Sequence, residues 1–266
     1  MSTDREHDGL LSSNWGEFLQ RIRARTPARL LVGRAGAAYL TATQLELREA
    51  HAAARDAVSA DLALERFDQA CVRQWDLFEV VSRADSKQDY LLRPDLGRRF
   101  NAASRAELAR RCPRHRDLQI AIGDGLSVTA VSAQVPALLP ALDQGAKARG
   151  WTSGQVFVIR HCRVGILNEI GEILEPRVAV LLIGERPGLA TAESLSAYMA
   201  YHPRETHSDA NRNLISNIHR RGVRPEEAAA RILNLAEQMM KLGTSGYQLR
   251  EQLPPRSDTS AASLHE

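Results

Sequence analysis

An uninterrupted apolar segment, Val178 to Gly184, constrains the fold more than any other part of the chain. Its seven apolar or small residues predict a strand buried on both faces, as in parallel sheets that helices cover on both sides. Glu185 and Arg186 follow this strand, and Pro187 and Gly188 then break the chain. Ligands of open parallel sheets bind beyond the carboxyl ends of the strands. Glu185 is therefore a candidate ligand contact, and a purely structural ion pair with Arg186 is the alternative.

Strands and helices alternate through the second half of the chain. Pro136 and Pro140 are expected to interrupt or bound helices in this half. Alternating βαβ units imply a parallel sheet with helices on both faces. The predicted fold class is therefore α/β, with a Rossmann-like sheet. We predict strands at 118–122, 155–160 and 178–184, and helices from about 127, at 166–174, after 188 and at 225–242.

A smaller helical region is predicted to precede the sheet. Asn14 can cap an amphipathic helix over 14–25, and residues 43–82 are expected to be mostly helical. The Pro-Gly break at 93–97 suggests a domain boundary. Core positions expected in this region are Leu45, Leu47, Val58, Leu62, Leu64 and Phe67. The predicted divisions are a disordered N-terminus (1–13), a helical region (14–95), a Rossmann-like ligand-binding domain (96–250) and a disordered tail (251–266).

Composition narrows the classes of function that the chain can have. The net charge of +3 over 266 residues is too small to favour a nucleic-acid partner. The three cysteines are far apart and form no CxxC pair, which fits a reducing cytosol and argues against a disulfide framework or a structural zinc site. No apolar run approaches the roughly 20 residues that cross a bilayer, and the polar N-terminus does not resemble a secretory signal.

Two loops that follow predicted strands have weak ligand signatures. Gly123-Asp124-Gly125 precedes a helix, and such a turn can receive a phosphate at the helix N-terminus or have no ligand at all. His161 and Cys162 are consecutive residues at a strand end, so their side chains point to opposite faces and make a poor chelating pair. A half-buried structural histidine is the simpler interpretation of this loop.

The sequence IGERPGLATAESLSAYMAY (183–201) is similar to the small, or light, subunit of ethanolamine ammonia-lyase, an adenosylcobalamin-dependent enzyme. The resemblance covers roughly residues 28–250, with its segments in the family's order. They include VGRAG (32–36), AHAAARDAV (50–58), YLLRPDLGRR (90–99), IAIGDGLSVTAV (120–131), VIRHCRVGILNEIGEIL (158–174), ISNIHRRG (215–222) and PEEAAARILNLAEQMM (225–240).

The resemblance implies a function, a cofactor and a partner. The family converts ethanolamine to acetaldehyde and ammonia by radical chemistry, and the cofactor supplies the radical. It implies that this chain binds adenosylcobalamin at the interface with a large, or heavy, subunit in a hetero-oligomer, without nucleic acid or membrane. The implied cofactor contacts are Val164, Glu185 and Leu214. Many members have Cys at the position of Leu214, so a thiol contact is lost here. No catalytic or metal-ligating residue is implied.

The segment from Asn217 to Gly222 approximates the Asp-x-His-x-x-Gly signature by which some cobalamin enzymes give a histidine to cobalt. Asn217 replaces the Asp, and the segment comes late in the fold. The resembled family keeps the cofactor's own base on cobalt, so His219 is not required as a ligand. A structural hydrogen bond is the alternative for His219.

Two other functions remain open at this level. One is a stand-alone nucleotide-dependent enzyme with a Rossmann-like core, although no nucleophile, P-loop or complete dinucleotide motif is present. The other is a structural subunit that tethers the enzyme inside a bacterial microcompartment through residues 14–25. The expected location is the cytoplasm, with the microcompartment as a further possibility.

Overall fold

The computed structural model describes residues 4–26, 28–30 and 32–251. Its helices are α1 (Asp4–Arg25), α2 (Thr41–Ser59), α3 (Gln69–Gln74), α4 (Lys87–Leu92), α5 (Ala102–Arg111), α6 (Val128–Ala148), α7 (Ile166–Leu174) and α8 (Pro225–Leu242). Its strands are β1 (Arg34–Ala35), β2 (Ala38–Tyr39), β3 (Glu79–Val81), β4 (Leu118–Gly123), β5 (Phe157–Arg160), β6 (Val178–Gly184), β7 (Leu195–Tyr201) and β8 (Asn213–Ile218).

A six-stranded sheet with the order β3-β5-β4-β6-β7-β8 forms the centre of the protein. The first four of these strands are parallel, and β7 and β8 run antiparallel to their neighbours. The α/β fold class is confirmed, with helices around a mostly parallel sheet. None of the helices in the described part of the chain combines the length and the apolar character that a membrane crossing needs.

Strand β6 is central because both of its faces are buried. Val178, Val180 and Leu182 belong to the core beneath α6 and α8. Ala179, Leu181 and Ile183 alternate with them and belong to the second core, which α7 covers with α5 behind it. Full burial of a Val, Leu or Ile side chain stabilises a fold by roughly 1.5–3 kcal/mol, so this strand anchors both layers.

The prediction of a helix after Gly188 was wrong, because Leu195–Tyr201 forms the antiparallel strand β7. β7 pairs along its whole length with β6. Leu195, Ala197 and Met199 alternate toward the core beneath α6 and α8. This period of two and the backbone hydrogen bonds to β6 outweigh the Ser and Thr residues, which had suggested a helix start.

The prediction that Pro136 and Pro140 interrupt or bound helices was also wrong, because both lie inside α6. Each proline removes one helical hydrogen bond. Helix α6 persists through both sites because it buries a long apolar face between the sheet and α8. That face includes Val131, Val135, Leu138, Leu139 and Leu142.

The N-terminal half is less helical than predicted, because Glu79–Val81 forms β3 and pairs with β5 in the main sheet. Leu62 and Phe67 are buried as predicted, whereas Leu45 is 58% exposed and is not a core residue. Helix α1 begins at Asp4 instead of Asn14. The proposed domain limits stay predictions, and the ends of both terminal segments, 1–3 and 252–266, lie outside the described residues.

A buried carboxylate joins the carboxyl ends of β4 and β5. Asp124 is fully buried, and its Oδ2 accepts the backbone N–H of His161 while its Oδ1 accepts that of Cys162, each at 2.7 Å. His161 has a φ of 55°, in the left-handed region that favours glycine. The two hydrogen bonds therefore hold a turn whose backbone conformation is unfavourable by itself.

We expect Asp124→Asn to destabilise the protein by about 1–3 kcal/mol. An amide has only one acceptor oxygen, so one of the two backbone N–H groups loses its partner in a buried site. Denaturant unfolding of the two variants Asp124→Asn and Asp143→Asn measures the difference. Asp143 pairs with the exposed Lys147, so its substitution should cost less than about 1 kcal/mol. Equal losses in the two variants would contradict the role given to Asp124.

Candidate functional site

The carboxyl end of β6 presents Glu185, whose carboxylate is fixed by three hydrogen bonds. Its Oε2 accepts from the Ser194 hydroxyl at 2.7 Å, and its Oε1 accepts from the Ser196 hydroxyl at 2.5 Å. The backbone N–H of Asn217 also donates to Oε1, at 2.9 Å. Glu185 is half-buried, and Ser194 and Ser196 are buried.

These contacts exclude one of the two interpretations of Glu185, the ion pair with Arg186. Among the described residues, Glu185 forms no ion pair, so the structural pair with Arg186 is absent, and Arg186 is exposed. Hydroxyl and amide donors orient the carboxylate without neutralising its charge. A carboxylate has about four lone-pair positions, so Glu185 keeps acceptor capacity for a further hydrogen bond.

The loop after β5 brings Val164 to the same end of the sheet. His161 is buried, and its Nδ1 lies 2.9 Å from the carbonyl oxygen of Ala84. Arg163 donates from its backbone N–H to the Gly97 carbonyl at 2.8 Å, and its guanidinium lies 4.1 Å above the centre of the Tyr90 ring. The loop is therefore attached just before Val164, and α7 begins two residues after it, so the half-buried Val164 has a defined position.

The edge strand β8 contributes Leu214. In the register of the sheet, Leu214 lies opposite Tyr198 of β7, and its side chain is 45% exposed. Ile215, the next residue, is buried in the core beneath α6 and α8. The alternation along β8 therefore turns Leu214 away from that core, and the exposed Ser216 shares its face.

Val164, Glu185 and Leu214 line one open cleft, which we call the central cleft. Its volume is about 320 Å³. The other lining residues are Tyr90, Gly125, Leu126, Cys162, Arg163, Ile183, Gly184, Arg186, Ser196, Tyr198 and Ser216. The structure thus brings together the three predicted site residues from the ends or faces of three different strands.

Sequence reasoning gave no role to several residues of the central cleft. Ser196 was missed because its segment was expected to be helical, and the alternation of LSAYMAY was the signal that could have identified it. Burial raises the pKa of Tyr198, and the nearby Glu185 charge adds to the effect. The Tyr198 phenol therefore stays protonated at neutral pH and can donate a hydrogen bond.

The Gly123-Asp124-Gly125 turn is used for packing in this structure. The backbone N–H of Leu126 donates to the Gly184 carbonyl at 3.1 Å, and the Ser127 side chain caps α6. Gly125 has a φ of 57°, and a Cβ there would lie 2.2 Å from the Gly184 oxygen. These contacts fit a close crossing of the β4–α6 turn and the end of β6, and they give no support to a phosphate at this helix start.

His219 makes the structural hydrogen bonds that the alternative interpretation predicted. Its Nδ1 accepts the backbone N–H of Arg221 at 3.2 Å, and its Nε2 lies 2.8 Å from Asn217 Oδ1. Since Nδ1 accepts, Nε2 carries the hydrogen and donates to the Asn217 side chain. Both ring nitrogens are therefore occupied within the loop, and His219 is not among the residues that line the central cleft.

The chemistry of the central cleft is that of a binding surface. Apolar side chains of Leu126, Val164 and Leu214 lie beside a fixed carboxylate, hydroxyl groups and guanidinium groups. Neither histidine nor lysine is among its described lining residues, and its cysteine, Cys162, has a pKa raised well above the ordinary value, chiefly by burial. The arrangement suits a ligand with an apolar face and a polar rim.

The chain is similar to known proteins over most of its length. Residues 16–250 match the family described as ethanolamine ammonia-lyase light chain (EutC). The ethanolamine ammonia-lyase small subunit of Clostridium perfringens is 42% identical over 234 residues, which cover 88% of this chain and 78% of that protein. The small subunit of Clostridioides difficile is 41% identical over 229 residues, covering 86% and 76%. That of Clostridium acetobutylicum is 38% identical over 234 residues, covering 88% and 95%.

Proposed function

The chain belongs to the ethanolamine ammonia-lyase light chain family, and from this premise we propose that it binds adenosylcobalamin in the central cleft as the small subunit of that enzyme. The reaction of the complex is the conversion of ethanolamine to acetaldehyde and ammonia. The observation that carries the proposal is the convergence of Val164, Glu185 and Leu214 on one cleft, with the Glu185 carboxylate held ready to accept a further hydrogen bond.

The residues of the central cleft fit a corrinoid. The rim of a cobalamin carries amide groups, and a fixed carboxylate such as Glu185 can accept hydrogen bonds from amide N–H groups. The apolar side chains of Val164 and Leu214 can pack against the hydrocarbon part of the macrocycle. Tyr198 and Ser216 offer hydroxyl groups toward amide oxygens.

The size of the central cleft explains why a second subunit is needed. Pockets that enclose drug-sized ligands have volumes of about 300–1,000 Å³. The central cleft, at about 320 Å³, is at the lower end of that range, and a corrinoid is several times larger than a drug. This chain can therefore cover only one side of the cofactor. The relatives are named small subunits, which implies a larger partner in a hetero-oligomer, and we assign the substrate site to that partner.

Bound adenosylcobalamin supplies the radical chemistry of the reaction. The residues of this chain bind the cofactor, orient it and limit the access of water. Glu185 holds the polar rim through its carboxylate, while Val164 and Leu214 exclude water from the apolar face. This division of roles requires no acid or base from this chain. The stand-alone enzyme is the weaker alternative, since no histidine or lysine lines the described cleft.

Tethering remains a second candidate function because α1 carries exposed aromatic side chains. Trp15 and Phe18 are 55% and 41% exposed, and their rings stack at 5.4 Å. An apolar contact of this kind on a terminal helix is suited to docking. We place the protein in the cytoplasm, with a bacterial microcompartment as the location that such a tether would serve.

Removal of residues 1–25 tests the tether separately from the cofactor function. We expect the truncated chain, combined with the large subunit, to retain lyase activity because the central cleft is intact. Fluorescence localisation in a compartment-forming host should change from punctate to diffuse if α1 is a tether. Unchanged puncta would contradict the tethering role.

The isolated chain should have no lyase activity, because we assign the substrate site to the large subunit and this chain covers only one side of the cofactor. The chain is purified alone and with the large subunit, and each sample receives adenosylcobalamin and ethanolamine. Acetaldehyde should form only with the large subunit. Acetaldehyde from the isolated chain would refute the proposed division of roles.

Glu185→Ala should raise the dissociation constant of adenosylcobalamin by roughly 5- to 150-fold. This corresponds to the loss of about 1–3 kcal/mol for a hydrogen bond to a charged group. Adenosylcobalamin is titrated into the reconstituted complex, and thermal melts of the same samples report the stability of each variant. Glu237→Ala is the matched control, since Glu237 pairs with the exposed Lys241 and does not line the central cleft. An unchanged affinity with a lowered melting temperature would make Glu185 a structural residue only.

A further inference from the structure

A second cleft, rich in arginine, adjoins the central cleft, and we call it the arginine cleft. Its volume is about 360 Å³. Its lining includes three guanidinium groups and two carboxylates, so the net charge of these five groups is positive. The lining residues are Arg98, Arg99, Gly165, Asn168, Glu205, His207, Ser208, Asp209 and Arg212. None of these residues takes part in the cofactor contacts described above.

Arg212 is a buried cation whose hydrogen bonds are incomplete. Its side chain is only 5% exposed, and burial lowers its pKa. One terminal nitrogen donates to Asn168 Oδ1 at 2.8 Å, and the other pairs with Asp209. Its Nε is buried and has no hydrogen-bond partner. Burying a hydrogen-bond donor without a partner costs free energy, so an acceptor near this site would stabilise it.

Arg98 differs from the other two arginines of the cleft. Arg99 pairs with Glu205, as Arg212 does with Asp209. Arg98 has no ion-pair partner among the described residues, although its charge interacts with that of Arg212. Its aliphatic stem lies against Gly165, where an added Cβ would be 2.9 Å from the Arg98 Cγ. The aliphatic stem of Arg98 is thus held against Gly165, while its guanidinium group is exposed and can bind an anion.

The two clefts adjoin at consecutive residues of the chain. Val164 lines the central cleft, and the next residue, Gly165, lines the arginine cleft. Tyr198 lines the central cleft and interacts electrostatically with Arg212. An anionic extension of a ligand in the central cleft would therefore lie near the cleft that Arg98 and Arg212 line.

We infer that the arginine cleft is a subsite for the phosphodiester in the nucleotide tail of the cofactor, with Arg98 as its principal contact and Arg212 as the buried charge behind it. Guanidinium groups match the geometry of phosphate oxygens and bind them through paired hydrogen bonds. The inference rests on the proposed function. It adds a determinant that distinguishes complete cobalamins from corrinoids without the nucleotide.

The test compares two ligands in the reconstituted complex with the large subunit. Adenosylcobalamin carries the phosphodiester, whereas adenosylcobinamide lacks the whole nucleotide tail. We expect Arg98→Gln to raise the dissociation constant of adenosylcobalamin about tenfold or more, as expected for a lost hydrogen bond to a charged group. The dissociation constant of adenosylcobinamide should not change. Arg98→Lys should recover part of the affinity, because it keeps the charge without the paired donors.

Arg110→Gln is the matched control, since Arg110 is exposed, pairs with Glu107 and lines neither cleft. It should leave both dissociation constants unchanged, and thermal melts should be equal for all variants. Equal weakening of both ligands by Arg98→Gln, or no weakening of either, would overturn the inference while leaving the proposed function intact. Failure of the unaltered complex to bind either ligand would instead overturn the proposed function, and the inference with it.

Discussion

The buried carboxylate of Asp124 holds together the end of the sheet on which the rest of the site depends. It accepts the backbone N–H groups of His161 and Cys162 and so sets the course of the loop that carries Val164. That loop passes close to the β4–α6 turn, where glycine permits contact with the end of β6. Three chain segments thereby converge at the carboxyl ends of the central strands, and the central cleft lies beside them.

The reversal of strand direction at β7 is the second feature that determines the central cleft. An additional parallel strand would need a crossover connection, usually a helix, over one face of the sheet. The antiparallel pairing of β6 and β7 needs only a short connection, and it turns Ser196 and Tyr198 toward the central cleft. The same hairpin supplies Ser194 and Ser196 as donors to Glu185. The geometry of the sheet thus produces both the open cleft and the fixed acceptor inside it.

The two clefts have complementary chemistry. The central cleft combines apolar side chains with the Glu185 acceptor, and the arginine cleft presents donors around the buried Arg212. Under the proposed function, a cofactor with an apolar macrocycle, amide groups and an anionic tail would meet each of these groups in turn. In that proposal, this surface binds and orients its ligand, and bond breaking belongs to the cofactor and the partner subunit.

The sequence by itself determined the strands and helices with strong local patterns. The apolar run of β6, the helix α7 and the proline-led helix α8 were predicted with the observed limits, because burial and capping act over a few neighbouring residues. The end of the β6 run indicated Glu185, and the family resemblance supported it and added Val164 and Leu214. Only the tertiary structure decided that 195–201 is a strand, that α6 continues through Pro136 and Pro140, and that β3 joins the sheet. Pairing with β6, packing against α8 and pairing with β5 are contacts between distant segments, and these contacts outweigh local preference. The same holds for the hydrogen bonds of Glu185 and for the proximity of Arg98 and Arg212, which depend on residues far apart in the chain.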